Sequence, residues 1–299
     1  MPIETKQIKK LAGILCLMSF CLIALGGTVR TMNAGLSCPD WPLCFGKYIP
    51  DYDPKVYFEF IHRVLAGLVS IVTLVLGILI FRSSQISKSL KRLMLFTWVL
   101  LITQVIMGGL TVLKLLNFGI VTTHLALGSA FFGTMIWIYM RLADSKEKVD
   151  VPKGFRILAM AITAIVYCQI LLGGMVSSNY AGLACPDFPL CFGEWIPTLS
   201  GPRGIQVIHR FGAYTTFLSI YVMFFAFKLK DKKSWSNRSL LQTTRVMTSL
   251  VLMQLVLGMS NIIFKMPPII SILHLAVAVS LLGMALRVVY LSFYEPAKR

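Results

Sequence analysis

The sequence predicts an all-α integral membrane protein with eight transmembrane helices, arranged as two pseudo-symmetric four-helix bundles. Three observations carry this prediction. Hydrophobic residues make up 57% of the 299 residues and charged residues only 14%, a balance typical of a chain that lies mostly in hydrocarbon. Eight apolar runs are each about 20 residues long, which is enough to cross a bilayer as a helix. The chain also contains an internal duplication.

The duplication is clearest in a thirteen-residue stretch. AGLSCPDWPLCFG at 34–46 returns at 181–193 as AGLACPDFPLCFG. The same offset of 147 residues maps His62 onto His209. The only differing pairs in the stretch are Ser37 with Ala184 and Trp41 with Phe188. The chain is therefore one unit written twice.

The eight apolar runs alternate with short polar segments. The first run follows Lys6, Lys9 and Lys10, as the apolar part of a signal peptide would. It is long, however, and ends without a small-x-small cleavage site, so we interpret it as a retained helix. The runs lie at 11–30, 57–81, 93–113, 119–140, 157–176, 204–227, 246–264 and 269–291.

A polar segment at 141–156, with mixed charges, links the two halves. We predict two domains of four helices each, at 1–145 and 146–299. Because each half has an even number of helices, both halves have the same orientation. The expected relation between them is a pseudo-twofold axis along the membrane normal.

Lys and Arg are concentrated at the two termini and in the segments 82–92, 141–156 and 228–245. The positive-inside rule then places both termini in the cytoplasm and the Cys-containing loops, 31–56 and 177–203, outside. The basic residues at the termini and in these three segments account for the net charge of +17. They are not interleaved with stacking aromatic residues, which argues against nucleic-acid binding.

The chain has four histidines, each near the start of an even-numbered helix: His62, His124, His209 and His274. All four are therefore expected in the outer part of the membrane, where an ionisable side chain points to function. A single one could be an interhelical hydrogen bonder. Four at one depth favour two bis-His sites, His62 with His124 and His209 with His274, that ligate haem iron axially across each bundle.

The odd-numbered helices finish near a glycine, and three of them carry a glutamine four residues earlier. Such glycines let a helix approach a neighbouring helix or a flat ligand closely, and the sequence leaves both interpretations open. The glycines are Gly26, Gly108, Gly173 and Gly258, and the glutamines are Gln104, Gln169 and Gln254.

Four cysteines form a C-x5-C pair in each outer loop, Cys38 with Cys44 and Cys185 with Cys191. An oxidising outer compartment permits disulfides, and of the three possible connectivities the within-loop one keeps the repeat symmetry. A structural staple and a redox-active pair remain alternatives.

Together these residues resemble the haem A synthase family over essentially the whole chain. The resemblance depends on the duplicated four-helix halves, the four outer histidines, the Glu59-Phe60-Ile61-His62-Arg63 segment and the CPDWPLC loop. The resemblance implies oxidation of a ring methyl of haem O to a formyl group, giving haem A. It implies that His62 and His124 hold the substrate haem O. It also implies that His209 and His274 ligate a resident haem b.

The same resemblance implies a bacterial cytoplasmic membrane protein whose partners are haem O and membrane lipid. Haem O synthase and an electron donor are candidate partners, and a homo-oligomer stays open.

Glu59 of the first half corresponds to Gln206 of the second. A residue at i−3 lies on the same helix face as the histidine. We therefore expect an acid–base group, Glu59, only at the N-terminal site, with an interfacial carboxylate in contact with water as the alternative. Arg63 and Arg210 directly follow their histidines, and we expect at least one to bind haem propionates. Snorkelling to outer headgroups is the alternative.

Two other functions fit parts of the pattern. A bis-haem electron-transfer cytochrome would need the four histidines and tolerate loss of Glu59. A thiol oxidoreductase would need the paired cysteines and tolerate loss of the histidines.

Overall fold

A computed structural model describes residues 3–142, 146–148, 151–230 and 238–296. Its helices are α1 (Ile3–Thr31), α2 (Pro54–Arg82), α3 (Lys88–Leu113), α4 (Phe118–Arg141), α5 (Lys153–Ser178), α6 (Gly201–Lys230), α7 (Arg238–Ile263) and α8 (Pro268–Phe293). A short 3-10 turn spans Ala181–Leu183. Two three-residue strands, β1 (Lys146–Lys148) and β2 (Tyr294–Pro296), pair antiparallel.

The all-helical membrane prediction is confirmed. Within the described residues, eight helices are long and apolar enough to cross a membrane, one for each predicted run. The helices are longer than the runs, and α1 begins at Ile3 rather than at residue 11. Lysine is a good helix former, so Lys6, Lys9 and Lys10 continue the helix beyond its apolar part. Apolar side chains also face outward, as Ile71 and Ile102 do at 60% and 61% exposure, which suits contact with lipid.

Contacts divide the chain into two compact units, Met1–Leu142 and Ala143–Arg299. In the first unit α1 packs on α2 and α4, and α3 packs on α2 and α4, which closes a four-helix bundle. In the second unit α5, α6, α7 and α8 pack in the same cyclic order. Each bundle can therefore hold a site between its own helices.

The core of the first unit lies at the end of the bundle away from its histidines. It contains Leu15 of α1, Leu76 of α2, Met94 of α3 and Met135 of α4, all fully buried. These side chains bring the four helices together through apolar contacts.

Side-chain caps set where the two histidine-bearing helices of the first unit begin. Asp53 precedes α2 and its Oδ1 accepts the N–H groups of Lys55 and Val56 at 2.9 and 3.1 Å, while Pro54 occupies the first turn. Asn117 caps α4 in the same way. Caps satisfy N–H groups that the helix cannot, so they fix the register of the helices that carry the site.

Two sequence predictions fall partly on residues that are not described. The linker prediction for 141–156 includes residues 143–145 and 149–150, and the basic segment 228–245 includes residues 231–237. Those parts of both segments lie outside the described residues.

Candidate functional site

Each histidine lies against the glycine that ends the preceding odd-numbered helix. A Cβ placed on any of these glycines would lie 3.1 or 3.2 Å from the Cε1 atom of the imidazole. That distance is tighter than an ordinary contact, so an alanine would push the ring away. The pairs are Gly26 with His62, Gly108 with His124, Gly173 with His209 and Gly258 with His274. The glycines therefore serve as seats for the histidine rings.

The glutamines one turn before three of these glycines also reach the histidines. Gln104 Nε2 lies 3.4 Å from His124 Nε2, and Gln254 Nε2 lies 3.3 Å from His274 Nε2. Gln169 Nε2 lies 3.1 Å from His209 Nδ1 and donates to the His209 carbonyl at 2.9 Å. These amides orient the rings.

The structure brings the histidines together in two pairs, one in each unit. His62 interacts electrostatically with His124, and His209 with His274. The Nδ1 atoms of His62, His124 and His274 are buried and lack a hydrogen-bond partner among the described residues. Over the same residues, no group of three or more His, Cys, Asp or Glu side chains is spaced to hold a metal ion. Each unit therefore offers two imidazoles as protein ligands.

Glu59 lies one turn from His62 and is 7% exposed. Its Oε1 accepts from Arg63 Nε at 2.9 Å, in an ion pair whose two side chains are both largely buried. The guanidinium stabilises the charge of the carboxylate next to the N-terminal histidine pair. The sequence signal for this pair was the i,i+4 spacing of Glu and Arg on one helix.

Arg63 also holds the first Cys loop. Its Nη1 donates to the carbonyls of Asp40 and Leu43 at 2.7 and 2.6 Å, and its Nη2 donates to the Cys38 carbonyl at 3.1 Å. Four of its hydrogen bonds therefore go to the loop and to Glu59. The sequence pointed to haem propionates or lipid headgroups as partners of Arg63 and carried no signal for these carbonyls.

Arg210 repeats the loop contacts but not the ion pair. It donates to the carbonyls of Leu190 and Cys185 at 2.7 and 2.8 Å. Its Nε is buried without a hydrogen-bond partner. Gln206, in the position of Glu59, donates instead to the Gly182 carbonyl at 3.2 Å. The two units therefore share a clamp on the loop and differ in charge beside the histidines.

Each outer loop contains a disulfide, Cys38–Cys44 in the first and Cys185–Cys191 in the second. The within-loop pairing is thus confirmed. The four cysteines are 0 to 2% exposed and pack on Val56 or Val207 at the start of α2 or α6. Burial keeps a disulfide away from thiols in solution, which favours the structural staple over the redox-active pair.

An aspartate stabilises the turn inside each loop. The Asp40 carboxylate accepts the N–H groups of Phe45 and Gly46 at 2.6 and 2.8 Å. Asp187 accepts those of Phe192 and Gly193 at 2.8 and 3.0 Å. The hydrogen bond from Gly46 is the main cause that lowers the pKa of Asp40, and the one from Gly193 lowers the pKa of Asp187 in the same way.

A sequence model of the cytochrome oxidase assembly protein family matches residues 9–286 of this chain. Several curated relatives carry the name heme A synthase. That of Halalkalibacterium halodurans is 30% identical over 91% of this chain and 93% of its own length. That of Shewanella oneidensis is 27% identical over 90% and 91%, and that of Rhizobium etli is 25% identical over 91% and 86%.

The matched segment takes in both disulfide loops, both arginine clamps and all four seated histidines. The chain therefore belongs to the cytochrome oxidase assembly protein family, the haem A synthase family that its sequence resembles.

Proposed function

We propose that this chain oxidises a ring methyl of haem O to a formyl group and so produces haem A. The full-length relatives named heme A synthase support this proposal. The single observation that carries it furthest is the buried Glu59–Arg63 ion pair, which accompanies one histidine pair and not the other.

The two histidine pairs have separate roles in this proposal. His62 and His124 of the domain at 1–145 hold the substrate haem O, and His209 and His274 of the domain at 146–299 ligate haem b. The fit to haem is supported by the two imidazoles in each unit and by the Nδ1 atoms of His62, His124 and His274, which are buried without a hydrogen-bond partner among the described residues. The glycine seats leave no Cβ between the rings and the helices behind them, so each imidazole lies close against the backbone of the neighbouring helix.

Glu59 is the proposed catalytic residue. When bound, haem b supplies one-electron oxidation and reduction. The Glu59 carboxylate takes up protons released as the methyl group of the substrate is oxidised in steps. Arg63 holds that carboxylate in place and stabilises its charge. Gln206, which is neutral, cannot take up a proton in this way, which fits a half that only carries electrons.

Arg210 remains the better candidate for a propionate contact. Its Nε–H is buried without a partner, and a haem carboxylate would satisfy it. Arg63 Nε already donates to Glu59. A propionate contact by Arg63 would therefore need a guanidinium N–H that does not bind the loop carbonyls.

We assign the chain to a bacterial cytoplasmic membrane, with both termini cytoplasmic and both Cys loops outside. The distribution of Lys and Arg supports this orientation, and the two loop disulfides fit an oxidising outer compartment. The proposed partners are haem O, membrane lipid, haem O synthase and an electron donor. A homo-oligomer remains compatible with this arrangement.

Extraction of pigments from the purified protein tests the proposal. When the protein is produced together with haem O synthase, we expect haem A or a partly oxidised haem together with haem b. Haem b alone would overturn the proposal and favour an electron-transfer cytochrome. His209→Ala and His274→Ala should each remove haem b, and unchanged haem b in both variants would contradict the assignment of the C-terminal pair. Thiol oxidation that persists in a variant without any of the four histidines would favour a thiol oxidoreductase.

A further inference from the structure

Trp41, in the first Cys loop, rests on Gly109 of α3. A Cβ on Gly109 would lie 3.0 Å from Trp41 Cδ2 and 3.2 Å from Cε2 and Cε3, so the indole covers this glycine. Gly109 is itself buried. A side chain at position 109 would crowd the ring, so the indole would have to shift.

This contact lies directly beside a haem-ligand candidate. Gly108, the preceding residue of α3, seats His124 at 3.1 Å. His124 and Trp41 therefore rest on adjacent residues of one helix. Because successive residues differ by only about 1.5 Å along the helix axis, the two rings approach α3 at nearly the same level.

Contacts within the first Cys loop hold the backbone around Trp41 in place. Arg63 fixes the backbone of Asp40, the residue before Trp41, since its Nη1 donates to the Asp40 carbonyl at 2.7 Å. The Asp40 carboxylate closes the turn on the other side, and the Cys38–Cys44 disulfide spans it. Even so, the indole is 41% exposed, so part of its surface is available to a ligand.

In the second half the ring in the loop is smaller, and the residue that corresponds to Gly109 is larger. Phe188 replaces Trp41, and Met259 stands in the place of Gly109, as Gly258 and His274 correspond to Gly108 and His124. Phe188 lies near the Arg210 guanidinium, 5.8 Å from its ring centroid. A large ring on a small residue is therefore specific to the half that carries Glu59.

We propose that Trp41 is a positioning residue of the N-terminal site: seated on Gly109, its indole forms the outer wall against which a tetrapyrrole held by His62 and His124 packs. This inference rests on the proposed function for the identity of the tetrapyrrole, haem O. A flat apolar ring is the natural partner for an indole, since aromatic surfaces pack face to face or edge to face. The wall keeps the substrate close to Glu59 until oxidation is complete.

The test uses the full chain, purified after production with haem O synthase. Gly109→Ala should lower the non-b haem per haem b about fivefold or more, because overpacking displaces the indole. It should also raise the share of partly oxidised haem in what remains. Haem b serves as the internal reference for folding. Gly67→Ala is the matched control, since a Cβ on Gly67 meets nothing within 4 Å.

A swap separates positioning from general damage. Gly109→Met alone should empty the N-terminal site, and adding Trp41→Phe, which recreates the pair of the second half, should restore much of the occupancy. Unchanged occupancy and product ratio in Gly109→Ala would overturn the inference. So would equal damage from Gly109→Met with and without Trp41→Phe. If the unaltered protein holds two haems but makes no haem A, the proposed function fails, and the occupancy measurements still decide the role of Trp41.

Discussion

Arg63 donates from Nε to Glu59 at 2.9 Å, whereas the Nε of Arg210 is buried without a partner. The two arginines otherwise make the same kind of contact with a disulfide loop. Because Glu59 and Gln206 differ by one charge and have nearly the same shape, the chain provides its own comparison between a carboxylate and a neutral amide at the same helix position.

Glu59→Gln tests the catalytic carboxylate. The amide keeps the shape and some hydrogen bonding but removes the charge, so we expect a folded protein with haem in both halves and little haem A. Pigment extraction checks the result, with partly oxidised haem accumulating if only a later step needs the carboxylate. A normal yield of haem A would assign Glu59 a merely interfacial role. Loss of haem from the N-terminal half alone would show that Glu59 organises the site instead.

Replacing Arg63 tests the clamp. Arg63→Lys keeps the charge but cannot reach Glu59 and three carbonyls at once, because lysine lacks the planar fork of donors. We expect a loss of roughly 1–3 kcal/mol in stability, measured by unfolding in detergent. Arg210→Lys is the matched variant and should cost less, since Arg210 binds two carbonyls and no carboxylate. Equal losses would show that the Glu59 ion pair adds nothing to stability.

The glycine seats predict site-specific haem loss. Gly173→Ala should displace His209 and remove haem b, and Gly108→Ala should displace His124 and empty only the N-terminal site. Absorption spectra should shift from low spin to high spin before the haem is lost, because one axial ligand is withdrawn. Gly67→Ala should instead stabilise α2 by roughly 0.5–1 kcal/mol, since alanine favours a helix. Unaltered spectra in Gly173→Ala and Gly108→Ala would contradict the seating role.

The loop aspartates predict a pH dependence. Hydrogen bonds lower the pKa of Asp40 in the folded loop, so their contribution to stability is present above the ordinary carboxyl pKa of about 4. It is lost as the pH falls through the lower folded value. At pH 7 a phosphine should therefore reduce Cys38–Cys44 faster in Asp40→Asn than in the unaltered protein. The two rates should converge at strongly acid pH, and equal rates at pH 7 would refute the role of Asp40.

The disulfides should act as staples. Replacing both Cys38 and Cys44 with serine should cost about 2 kcal/mol, the loop entropy expected for so short a segment. Because all four disulfide-bonded cysteines are almost fully buried, a thiol reductant should react slowly with the folded protein. Rapid reduction without loss of haem would favour a redox-active pair.

The eight helices, the duplication and the histidine at the start of each even-numbered helix could all be predicted from the sequence. These features are local: a hydropathy window of about 20 residues and a repeated motif need no knowledge of neighbouring helices. The family resemblance also followed from local motifs, and the family model that matches residues 9–286 agrees with it.

The contacts that those motifs make could not be predicted from the sequence and appear only in the folded chain. Arg63 binds carbonyls 20 to 25 residues earlier in the chain, and Trp41 meets Gly109 on a different helix. Both faces of a membrane helix are apolar, so hydropathy periodicity does not fix how a helix is rotated toward its neighbours. Helix rotation and loop folding determine these contacts, because side chains far apart in the chain meet only after the bundle has packed.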